Sequence, residues 1–343
     1  MKAALGTVPD FSPSGIGTSG LRCDGRLHRL FLAWLRSMDG RWVATASALN
    51  MKLQASLLVL GWVLFVGTMR LPAQGQSRDF ELSAATKSRC VSILNEAIHD
   101  EDFPTAIHAA EALTRAGRAR EVTGPMARRL ADETDDRKKC VWARELVRAG
   151  DSSKVGVMLD ILAGSDPYGH VHAAESLYKV DAMGDGTALR AATGEGRDPI
   201  LQIMAAGALA KHGDNDAMKL LRVRLGDEDL KSSRIAAWVL GRIGDSSDIP
   251  ALREGVRRSS DDTTRCFFEH SLATLGNADG LQALERNLTH AEGPIRAYAA
   301  TFAGDTGAVA LALKLVPLIE DPVTDVQVRA CQTLLVFDRS SRE

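Results

Sequence analysis

No stretch of this 343-residue chain sustains the alternation of apolar and polar residues that marks a half-buried strand, so the sequence predicts no sheet. The apolar run from Leu57 to Val66 is broken by Gly61 and falls short of the roughly 20 residues a membrane helix needs. There is no Gly-x-Ser-x-Gly elbow to present a nucleophile, and no Gly-rich loop between strand and helix to cradle a phosphate. Positive charge is short as well. Residues 1–73 hold eight Lys and Arg against three Asp and Glu, which leaves 34 against 41 beyond them, a net of about −7. That balance speaks against a general nucleic-acid binder, whose affinity rests on neutralising phosphates, and against attraction to anionic membranes.

What the chain does have is a ladder. Leu113, Leu146, Leu177, Leu209, Leu240, Leu272, Ala303 and Leu334 follow one another at 31 to 33 residues. Six of these markers are followed four residues later by Gly: Gly117, Gly150, Gly213, Gly244, Gly276 and Gly307. A period of this size means stacked repeats, each burying its apolar face on the next. Around Leu240, the segments Ser233–Ile243 and Asp248–Arg258 both carry apolar residues at helical spacing, with Gly244-Asp245 between them. Gly suits the left-handed residue that closes a helix, and Asp caps the next. The spacing predicts an all-α solenoid of about eight helical hairpins over residues 76–340. Each unit is helix A, a turn carrying Asp or Pro, helix B and a tight turn. The Gly-rich piece from Gly184 to Gly196 is predicted to be a short helix A.

Aligned on the markers, helix B sorts into columns. Ala fills six of eight positions both three and four residues before the marker, which makes that face a close helix contact. The column two before the marker is mostly polar and is predicted to meet solvent; with the mixed column five before it, it forms one stripe along the solenoid. Candidate partner-binding residues on this stripe are His108, Glu111, Arg144, His172, Glu175, Trp238, Phe267, His270, Tyr298 and Arg329. In the sixth repeat Phe267, Phe268, Glu269 and His270 displace the small residues, either as local repacking or as an aromatic patch with Trp238 and Tyr298 nearby. Aromatic residues and Arg are enriched at interface hot spots.

The pairs His108/Glu111 and His172/Glu175 each lie one helical turn apart, a spacing that can supply two metal ligands. A complete site needs three or four. Two repeats at roughly 8–10 Å each separate the pairs, and Arg144 stands between them. No metal and no cofactor is expected.

Cys90, Cys140, Cys266 and Cys331 follow residue 73. Cys140 and Cys266 share one repeat position four repeats apart, more than about 30 Å in a stack, whereas a disulfide needs Cα atoms within about 7 Å. Buried thiols are the expectation, with Cys90–Cys140 the pairing least excluded.

Residues 51–75 read as a signal peptide: Met51-Lys52, the apolar run, then small residues for cleavage after Ala73 or Gly75. Residues 1–50 are then a disordered or mis-assigned upstream extension. The expected location is periplasmic or extracellular, with no stable membrane span after cleavage.

Runs such as Arg234-Ile-Ala-Ala-Trp-Val-Leu-Gly-Arg-Ile-Gly-Asp245 resemble HEAT repeats of the short bacterial, PBS-lyase-like type, and His-Ala-Ala-Glu-Ala-Leu at 108–113 and His-Ala-Ala-Glu-Ser-Leu at 172–177 are similar to exported members. The resemblance spans about residues 88–338. It implies a right-handed solenoid with a concave helix-B face that binds partner proteins. Some relatives attach bilins, others hydroxylate a lysine-derived residue with two irons, and others excise alkylated bases. The expected function is a non-enzymatic protein-interaction scaffold outside the cytoplasm. The alternatives are an accessory module of a secreted hydrolase system and a HEAT-type enzyme, either metal-dependent hydroxylase or bilin lyase.

Overall fold

The computed structural model describes residues 80–340, with side chains as far as Asp338. The predicted extension 1–50 and signal peptide 51–75 lie outside the described residues. No strand occurs among the described residues.

Eight hairpins follow one another. Their first helices are α1 (Ala84–Ala97), α3 (Ala119–Asp132), α5 (Val155–Ala163), α7 (Thr187–Ala192), α9 (Asn215–Leu225), α11 (Ile249–Arg258), α13 (Ala278–Asn287) and α15 (Ala312–Leu315). Their second helices are α2 (Phe103–Arg115), α4 (Asp136–Arg148), α6 (His170–Lys179), α8 (Pro199–Lys211), α10 (Leu230–Ile243), α12 (Asp262–Thr274), α14 (Gly293–Thr306) and α16 (Thr324–Ser340). The predicted short helix between Gly184 and Gly196 is α7.

Local chemistry sets these boundaries. Asp102, Asp135, Asp198, Asp229 and Asp261 each accept a backbone N–H at the start of a second helix. Gly117, Gly150, Gly213, Gly276 and Gly307 take positive φ in the turns that follow. Gly244 does not: its φ is −84°, and an added Cβ would meet the Leu240 carbonyl oxygen at 2.6 Å, so close approach is what demands glycine there. In the third repeat, which lacks the marker glycine, Asp181 takes the left-handed turn with φ 59°.

The second helices pack side by side through the Ala columns, and all run the same way. Equivalent hydroxyls stitch neighbours together: Ser271 Oγ donates to the Ala237 carbonyl and Thr333 Oγ1 to the Ala300 carbonyl, both at 2.7 Å. The arrangement does not end at the eighth repeat. Helix α16 packs on α14 on one side and on α1 and α2 on the other. One apolar core joins Leu94 and Leu113 of the first repeat to Cys331 and Leu334 of the last. Lys87 pairs with Asp338, Arg89 with Glu320 at 3.0 Å, and Glu111 with Arg329 at 3.3 Å. The solenoid is a closed ring, with the second helices inside and the first helices outside. Each repeat turns by roughly 45° to close it, the curvature that a constant rotation per repeat produces.

Closure revises two expectations. The stripe does not run along an open groove; it faces inward around a circle. Cys90 and Cys140 are free thiols in different apolar cores. Cys90 shares the seam's apolar core with Cys331, and all four described cysteines are free and buried.

Candidate functional site

Every inner helix runs in the same direction, so residues at one offset from the marker lie at one level of the ring. Together they enclose a central chamber of about 530 Å³ to which all eight inner helices contribute. At one level Met204, Ile235, Phe267 and Tyr298, five residues before their markers, make an apolar arc. Phe267 meets Tyr298 edge-on at 4.9 Å, and Tyr298 stacks on Phe302 at 5.8 Å. This is the aromatic patch of the sixth repeat, and it belongs to the wall. Trp238 stands apart from it and packs against Tyr178 at 5.4 Å. Phe268 points the other way, fully buried against Gly255, where any Cβ would overlap its ring.

The opposite level is cationic. Two residues after the marker stand Arg115, Arg148, Lys179, Lys211 and Arg242, one on each of five successive inner helices, and all line the chamber. Acidic groups in the wall answer part of this charge. Arg148 reaches Glu111 at 3.4 Å and Glu145 at 2.8 Å. Lys179 pairs with Glu175 at 2.6 Å, and Arg242 pairs with Asp305 from two repeats away. Burial pushes the Glu111 carboxyl up, but Arg148, Arg329 and Lys179 outweigh it and hold the group well below its ordinary range. Burial likewise opposes the Glu175 charge, yet Lys179 and Arg144 bring its pKa down to about 2. Both glutamates are therefore ionised and engaged.

Of the ten residues singled out in the sequence, His108, Glu111, Glu175, Trp238, Phe267, Tyr298 and Arg329 line the chamber. The other three do not line it, and the burial of Arg144 and His270 corrects the expectation that the column two before the marker meets solvent. Arg144 is 4% exposed and turns back to the buried Glu145 at 2.7 Å. His270 is fully buried, stacked on Phe302 at 3.7 Å with Arg242 at 3.3 Å from its Nε2. His172 is half-buried outside the lining, and its Nδ1 has no partner. The first His-x-x-Glu pair is spent on protein contacts: His108 Nδ1 lies 2.5 Å from Asp325 across the seam, and Glu111 serves Arg148 and Arg329; of the second pair, Glu175 serves Lys179. Among the described residues no group of three or more His, Cys, Asp or Glu forms a metal-binding cluster.

Sequence reasoning missed the cationic tier and Tyr178. The tier was there to be read, since five basic residues share one column, but a basic residue in the last turn of a helix has an ordinary explanation in the helix dipole.

An inner circle of eight like helices backed by eight outer ones defines an all-helical repeat scaffold. Within it, residues 186–269 match the family model described as HEAT repeats. No curated protein matches the chain. Among solved structures, human deoxyhypusine hydroxylase in complex with glycerol aligns at 17% identity and TM-score 0.36, covering 75% of this chain and 98% of that one. An engineered protein aligns at 18% identity and TM-score 0.29, covering 76% and 98%. Similarity at that level carries no functional argument.

Proposed function

We propose that the protein is a non-enzymatic binding scaffold working outside the cytoplasm, which holds a protein partner through its inner-helix face. The supporting observation is convergence: residues from all eight inner helices meet in one chamber of about 530 Å³. That volume is in the range of clefts that receive a ligand or a few side chains, roughly 300–1,000 Å³, and far too small for a folded domain. The partner therefore inserts an extended segment. Trp238, Tyr298 and Arg329 at the chamber are the residue types that anchor interfaces. Location outside the cytoplasm rests on the sequence of residues 51–75.

Site-specific photo-crosslinking in the producing cells tests the surface. A crosslinker replacing Tyr298, which is 39% exposed at the chamber, is expected to capture a protein that one at Val223, 64% exposed on outer helix α9, does not. Equal capture from both positions would remove the inner face as the binding surface. Fractionation that leaves the protein in the cytoplasm would remove the export reading.

A further inference from the structure

We infer that the segment seated in the chamber is acidic, an extended peptide whose carboxylates rest on Arg148, Lys179, Lys211 and Arg242 of the cationic tier. This rests on the binding-scaffold reading above.

Three observations lead there. The first is charge. The lining carries six cations, the five of the tier and Arg329, against the four acids Glu111, Glu175, Asp305 and Asp325. The chain as a whole is acidic beyond residue 73, so this excess is local to the chamber. Such a focused potential in a low-dielectric cleft attracts ligands of opposite charge.

The second is the state of Lys211. Its nearest carboxylate is Asp181, 3.9 Å away and 67% exposed. Burial holds the ammonium below its ordinary range; Asp181 opposes this, and Arg242 and Arg148 reinforce it. The helix-dipole explanation covers part of the tier, since Lys211 donates to the Tyr178 carbonyl at 2.9 Å and Arg242 to the Trp238 carbonyl at 3.0 Å. It does not relieve the mutual repulsion of the cations. An anion does.

The third is Tyr178. This side chain lines the chamber, is only 1% exposed, and its hydroxyl has no hydrogen-bond partner. Burial raises its pKa to about 12, so it is a neutral donor at physiological pH. A buried hydroxyl left without a partner is costly, and a carboxylate oxygen satisfies it. Lys211 lies over the face of the same ring at 4.6 Å, so donor and cation belong to one part of the lining.

The test is a fluorescence anisotropy titration of the folded protein with a labelled hexaglutamate peptide at low salt. Binding is expected to weaken as salt rises, while hexalysine does not bind. Lys211→Gln and Tyr178→Phe are each expected to weaken binding about tenfold, the scale of one hydrogen bond to a charged group. Phe keeps the ring in place, and circular dichroism checks that both variants fold. Lys219→Gln, on outer helix α9, serves as the control and leaves binding unchanged. Isothermal titration at pH 9 in buffers of different ionisation enthalpy is expected to show proton uptake, because a carboxylate raises the Lys211 pKa.

Failure of hexaglutamate to bind, or equal binding by both chamber variants, overturns the inference. So does displacement of the peptide by citrate at much lower concentration, which would assign the tier to a free small anion. Loss of hexaglutamate binding with Tyr298 crosslinks intact sinks the acidic segment alone; loss of the crosslinks sinks the scaffold reading as well.

Discussion

Buried histidines make the stability of the ring depend on pH. His108, His172 and His270 all have pKa values driven down, in each case first by burial. His270 shows the largest effect: it is fully buried, and Arg242 adds to the burial. The folded state keeps it neutral while the unfolded chain protonates near pH 6.5. Above that pH its contribution to stability is complete; as pH falls below it, the unfolded state takes up the extra proton and stability declines. The slope approaches about 1.4 kcal/mol per pH unit for one such group. Urea unfolding between pH 7.5 and 5 is expected to show this decline, and His270→Phe, which keeps an aromatic ring on Phe302, is expected to flatten it by up to one proton's worth. An unchanged slope in the variant would show that His270 does not govern the response. At this scale the sequence was readable wherever a side chain's column fixed its direction, as for Trp238 and Tyr298. It was not readable for Arg144 or His270. A neighbouring helix supplies Phe302 in one case, and an adjacent buried carboxylate, Glu145, turns the side chain in the other.

Helix ends were the most legible elements. Asp before an apolar helical run and Gly after it carry their own stereochemistry, so the five Asp caps and five left-handed glycines fall where the repeat places them. Asp198 accepts from the N–H groups of Ile200 and Leu201 at 2.8 and 3.0 Å, and Asp198→Ala is expected to cost about 1 kcal/mol in denaturant unfolding. A cost near zero would mean that packing alone holds α8. The third repeat shows the opposite tendency. No glycine follows Leu177, and the turn is kept by Asp181 in the left-handed region. The same residue is the nearest carboxylate to Lys211, which gives the departure from the pattern a role beside the chamber.

At the scale of the whole molecule, repetition was legible and closure was not. Column patterns report which faces touch the next repeat, while a ring depends on a rotation per repeat accumulated over 31 to 33 residues at a time. The seam joins residues as far apart as Leu82 and Asp338, so it closes late and opens at the expense of one interface. Local opening at the seam is expected to precede global unfolding. Cys90 and Cys331 lie on it, whereas Cys140 and Cys266 lie on α4 and α12. In native buffer a thiol reagent is expected to modify Cys90 and Cys331 before the other two, with Lys87→Met speeding only that phase by breaking the pair with Asp338. Simultaneous modification of all four would show that the seam is as secure as any other interface. Closure also bears on how such a chain can change over generations. An open array lengthens or shortens by duplicating or deleting one unit, and its ends accommodate the difference. Here a ninth or a missing unit would leave α16 and α1 unable to meet, so the number of repeats is held fixed by geometry while the residues facing the chamber remain free to vary.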